Sequence, residues 1–280
     1  MDSANAGPRL PTALRGPGFD WLTVAAIAAL AYVLGTALHE HAGHALACRL
    51  LGGRVQAMGA FYVQCDYRGL GAPVVRAVAL AGPAVSLLSG LACAGLLPYL
   101  RTPSSRLLCW LLASCGLMTA FGYLLFSGIA GIGDLGVGEE GVLHAVPLPW
   151  LWRVLMAGIG YLLYDRAVVW SITRLGELLG GGALRLARVR RLALLCYLSG
   201  AAVSVLIGLL NPQGLVIVLT SAVAASLGGT SGFAWGPYRV RLAADDPRPA
   251  LPLPRDWRWV LGSAVLVLAY ALVFGPTLVP

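Results

Sequence analysis

Seven apolar runs, each about long enough to cross a bilayer, constrain this chain more than any other feature. They fall at about 18–44, 76–98, 106–131, 153–174, 191–211, 213–229 and 257–276. A spanning helix needs about 20 apolar residues, because lipid offers no hydrogen-bond partner to the backbone. The pattern predicts an all-α polytopic membrane protein with six to seven transmembrane helices. The count is six if the two runs around Asn211-Pro212 form one broken helix. Only 11% of the residues are charged, against about 25% in a soluble domain. Residues 1–17 are polar and rich in proline and glycine and read as a flexible tail; 18–280 read as a single transmembrane domain. Arg9 and Arg15 before an apolar run look like a signal peptide. Cleavage near Ala37 would fall just ahead of a histidine cluster, so an uncleaved first helix is expected.

Between the first two runs, Gly52-Gly53-Arg54-Val55-Gln56-Ala57-Met58 and Phe61-Tyr62-Val63-Gln64-Cys65-Asp66-Tyr67 combine a glycine pair with β-branched and aromatic residues. That composition predicts a short β-hairpin after the first helix. Its exposed edge could hold an extended peptide by main-chain hydrogen bonds. The six cysteines show no CxxC spacing, and most flank or enter apolar runs, so they read as small buried hydrophobes. The net charge of +8 is carried by arginine alone. No segment joins it to an exposed aromatic platform, so nucleic acid is not an expected partner; the lipid bilayer is. The arginines crowd around 174–191 and 239–258. Placing both stretches inside, with seven spans, puts the N-terminus inside and the histidine cluster near the outer face.

That cluster is His39-Glu40-His41-Ala42-Gly43-His44, three of the four histidines at the end of a spanning run. Ionisable groups at membrane depth are costly and mark function, and imidazoles beside a carboxylate suit a divalent metal, zinc above all. His39 and His44 are five apart, about 140° round an ideal α-helix. They can share a metal only across a π-turn, which Gly43 would ease. If the helix stays regular, His41 with His44, or Glu40 with His44, are the pairs that could chelate, so His41 is an alternative ligand. A catalytic zinc keeps three protein ligands and one open position. Asp134, at the end of the third run in a glycine-rich stretch, is the best third ligand, and two spans place it on the same face as His44. His144 is a fallback, while Glu139 and Glu140 read as surface charges.

The run from His39 to Gly53 resembles the first motif helix of site-2-protease-type intramembrane metalloproteases, the M50 family. Ala81-Gly82-Pro83-Ala84-Val85-Ser86 is similar to that family's AGPxxN segment, with Ser86 in the asparagine's place. Gly133-Asp134-Leu135-Gly136 stands where the later aspartate-glycine motif falls. The likeness covers residues 37–136; one inserted residue turns HExxH into HExxxH, and the later Asn-Pro is missing. A soluble zinc dipeptidase family uses the HExxxH spacing. The resemblance implies a metalloprotease-like core over about 18–150 with additional helices over 151–280. It implies that His39, His44 and Asp134 hold Zn2+, and that Glu40 activates water. The partner would be a membrane-protein substrate with a transmembrane helix, and the location the bacterial inner membrane, as a multi-pass integral protein. It also implies a metal site towards the cytosolic side, against the charge-based topology.

Other classes compete. Gly229-Thr230-Ser231-Gly232 matches the GxSG of rhomboid serine proteases, but a serine nucleophile needs a base and no histidine follows Ser231. Asp165-Arg166 within the fourth run could mark an ion path in a transporter or metal-handling protein, although its plainer reading is a structural salt bridge. A catalytically inactive, metal-binding relative is the third alternative.

Overall fold

The computed structural model of this chain describes residues 18–181, 185–242 and 251–279. The tail expected over 1–17 lies outside them. Seven long helices form among the described residues: α1 (Trp21–Leu50), α2 (Ala72–Tyr99), α3 (Pro103–Ala130), α4 (Pro149–Leu179), α5 (Arg185–Gly208), α6 (Leu215–Arg239) and α7 (Trp257–Phe274). All but α4 are long and apolar enough to span a membrane. The chain is an all-α, multi-pass membrane protein. The helices start where local chemistry lets them. Asp20 caps α1 by accepting from the Thr23 amide, and Thr102 caps α3 just ahead of Pro103, a residue preorganised for a first helical turn. Gly131, at φ +75°, ends α3 in the left-handed conformation glycine adopts without cost.

Helix α4 has 31 residues, about 46 Å of helix, and carries Asp165 and Arg166 at mid-length. It crosses the molecule nonetheless. Near its start, Arg153 donates to the Gly128 and Ile129 carbonyls at the end of α3. At its finish, the Leu179 carbonyl accepts from the Leu251 amide, while the Leu253 carbonyl accepts from the Asp20 amide ahead of α1. The molecule thus has two ends. One gathers Asp20, Leu179 and Leu251–Leu253; the other holds the end of α1 and the start of α4. The breaks at 209–214 and 131–148 fall at the second end, and α5 and α6 are two helices rather than one broken span.

The hairpin forms as expected: β1 (Arg54–Met58) pairs antiparallel with β2 (Val63–Asp66), with a bulge between Val55 and Ala57. Beyond it, Met58 exchanges two backbone hydrogen bonds with Leu278, each 2.8 Å, so the segment after α7 caps the β1 edge. The main apolar core joins α1, α3, α4, α5 and α6 around Trp110, Met118, Ile172 and Phe233. Small residues set the helix spacing, as is usual where lipid removes the hydrophobic drive to associate. A Cβ on Gly128 would come within 2.5 Å of the Ala157 amide nitrogen, so α3 and α4 can touch only because it is glycine.

Two expectations need correction. Cys48 and Cys65 are not separate buried hydrophobes but a disulfide, with Cα atoms 6.0 Å apart. The hairpin folds β2 back over the end of α1 and brings together two residues that the sequence separates by 17. Cys93, Cys109, Cys115 and Cys196 are free and half-buried or buried, as expected. Asp165 does not pair with its neighbour Arg166; its ion-pair partner is Arg239, at the end of α6. Adjacent residues on a helix point about 100° apart, so the partner comes from the next helix.

Candidate metal centre

The histidine cluster lies on a π-helical segment, Leu38–Ala45, within α1. The Leu46 amide reaches back to the His41 carbonyl, five residues earlier. This hydrogen-bonding period puts residues five apart on one face, so His39 and His44 point the same way. His39 Nε2 and His44 Nε2 lie 3.3 Å apart. Asp134, carried by the loop after α3, places Oδ2 3.1 Å from the first and 3.3 Å from the second. Three donors at 2.0–2.2 Å from one tetrahedral zinc would sit about 3.3 Å from one another. Two imidazole nitrogens and a carboxylate aimed at one spot repel unless a positive charge lies among them. His39, His44 and Asp134 could hold a metal ion.

Both rings are locked from behind. His44 Nδ1 is 2.8 Å from the Val78 carbonyl on α2. A carbonyl only accepts, so Nδ1 carries the hydrogen and Nε2 keeps its lone pair towards the site. His39 Nδ1 meets the Ser86 hydroxyl at 2.9 Å, and the Tyr123 ring stacks on His39 at 4.9 Å. Such outer partners fix ring orientation and tautomer. The approach of α1 to α2 depends on two glycines: a Cβ on Gly43 would lie 2.6 Å from Gly82 Cα, and one on Gly82 would lie 2.8 Å from His39 Nε2.

His41, the alternative ligand, is turned away. Its Nε2 donates to the Gly59 carbonyl at 3.1 Å and its ring lies 4.1 Å from that of Phe274. The regular-helix pairings of His41 or Glu40 with His44 fall with the α-helical geometry they needed. His144 stays outside the cluster; it lies beside Arg76, which donates to its backbone carbonyl. Glu40 is buried and lines the same cavity as His39 and His44.

That cavity has a volume of about 870 Å³. Its walls include Val63 and Cys65, alternate residues on one face of β2, while Leu278 pairs with Met58 of β1. Tyr67 stands at the hairpin end, its hydroxyl pushed up to about 12 by burial and by the charges of Glu140 and Asp134. It stays a neutral donor. Glu140 is exposed at the rim. The far wall holds the GxSG segment. Ser231 Oγ meets Tyr164 Oη at 3.4 Å, and Tyr164 also donates to the Gly229 carbonyl. A phenol in this setting is no base for a serine nucleophile.

Val78 and Tyr123 had no sequence signal, since a backbone carbonyl and an aromatic in an apolar run look like any others. The Cys48–Cys65 bridge had only a faint one, a cysteine ahead of β1 and another within β2. No protein-family model, curated protein or solved structure matches this chain.

Proposed function

We propose that this protein is a zinc-dependent intramembrane endopeptidase that hydrolyses peptide bonds in or near the transmembrane segments of membrane proteins. The observation that carries the reading is the convergence of His39 Nε2, His44 Nε2 and Asp134 Oδ2 within 3.3 Å, on the wall of a cavity that Glu40 also lines. Two oriented imidazoles and one carboxylate are a donor set that suits zinc and leaves a position open.

The chain's own groups divide the work. A helical substrate hides its carbonyls in i→i−4 hydrogen bonds, so it must unwind locally. The β2 edge is then the natural partner for the extended stretch. Zinc, when bound, polarises the scissile carbonyl and acidifies a water. Glu40 takes the proton from the attacking water as its oxygen bonds to the carbonyl carbon. It then passes that proton to the amine nitrogen as the C–N bond breaks. Ser86 and the Val78 carbonyl keep both imidazoles aimed throughout.

Glu40→Gln tests the reading. It removes the base but none of the three ligands, so cleavage of a single-span substrate falls by about 10²–10⁴-fold while zinc content is unchanged. Retained cleavage defeats the general-base role. A metal transporter would instead lose flux or metal affinity in this variant.

A further inference from the structure

We infer that the metal-site cavity opens on the non-cytoplasmic, oxidising side of the membrane, so that its substrates are segments cut at the outer leaflet. The substrate half of this inference rests on the protease reading; the orientation does not. Two independent observations carry it.

The first is the Cys48–Cys65 disulfide. It ties the last turns of α1, four residues beyond His44, to β2, whose Cys65 forms part of the cavity wall. Disulfides persist in oxidising compartments and are rare where glutathione and thioredoxin keep thiols reduced. Gly53 packs against both sulfurs; a Cβ there would lie 2.7 Å from Cys65 Sγ and 2.9 Å from Cys48 Sγ, so the hairpin entry is shaped around the bridge.

The second is the distribution of arginine between the two ends. The end marked by Asp20 and Leu253 carries eleven described arginines, around 101–106, 174–191, 239–241 and 255–258. The end with the metal centre has five: Arg49, Arg54, Arg68, Arg76 and Arg153. Arginine near span ends stays on the cytoplasmic side, so the metal centre falls outside. The hydrogen bonds of α4 at both ends make this parity firm, because they show that the helix crosses. Residues 39–44 lie within about 10–20 Å of the end of α1 at 1.5 Å per residue, which sets the site at the outer leaflet. This orientation is opposite to the cytosolic-side placement that the M50 resemblance implies.

The test labels single added cysteines in intact cells with a membrane-impermeant maleimide. Glu139→Cys, in the exposed loop beside Asp134, should label in intact cells. Arg101→Cys, between α2 and α3, should label only after permeabilisation, with at least about a tenfold contrast between the two. Acid-quenched wild-type protein, alkylated before and after reduction, should gain two alkyl groups only on reduction. Reversed labelling, or alkylation of both Cys48 and Cys65 without reductant, overturns the inference. Neither readout depends on zinc or cleavage, so a failed protease reading leaves the orientation result standing.

Discussion

Two π-helical segments line the cavity, Leu38–Ala45 in α1 and Val218–Gly228 in α6. Each widens the helix in the same way, yet only the first builds a site. In α1 the wide turn aligns His39 with His44, and α2 supplies a carbonyl, a hydroxyl and a glycine to hold them. In α6 the segment VLTSAVAASLG has no ionisable side chain, and two of its three hydroxyls turn back on their own helix. Thr220 donates to the Val216 carbonyl, and Ser226 to that of Ala222. A π-turn is therefore only a way of changing which residues share a face. Chemistry follows when the residues it aligns are ligands and a neighbouring helix locks them.

The largest effect that would break this contrast comes from the ligands. His44→Ala and Asp134→Ala each leave two donors, so detergent-purified protein should lose near-stoichiometric zinc by elemental analysis, at least about tenfold against wild type. Full zinc in either variant would reduce the α1 segment to the status of its α6 counterpart. Ser86→Ala removes the hydrogen bond that orients His39 but no ligand, and losing such a partner behind a ligand costs about 10–100-fold in metal affinity. Zinc-buffer titration would show it. Gly43→Ala forces α1 away from Gly82 and should destabilise the fold by about 1–3 kcal/mol, seen as a lower midpoint in thermal unfolding in detergent. Ser226→Ala sits at the other extreme. It removes one intrahelical hydrogen bond and should change stability by about 1 kcal/mol or less, with zinc untouched. A marked zinc loss there would mean that the two segments are coupled across the cavity.

How legible these features were in the sequence depended on their range. The spans, the hairpin and the chance of a π-turn are local: run length, alternation and the five-residue spacing of His39 and His44 carry them. Even the pairing of Asp134 with the histidines was reachable, because crossing a membrane twice returns the chain to the same face. Side-chain direction was not. That His41 points to Gly59 and Phe274, while His39 and His44 point to Asp134, depends on how far the helix unwinds, and neighbours decide that. Asp165 shows the same limit, since its partner Arg239 lies on another helix.

The sequence by itself determined a multi-pass helical membrane protein with a histidine and carboxylate cluster at one end of its first span. Bilayer thickness and the need to satisfy every backbone polar group leave such a chain few choices. The tertiary structure alone decided which histidines face one another, that Ser86 and the Val78 carbonyl hold them, and that Cys48 joins Cys65. Those outcomes turn on contacts of a few ångströms between segments far apart in the chain. A hydropathy pattern says where a helix lies in the membrane, but not how it is rotated or what packs against it.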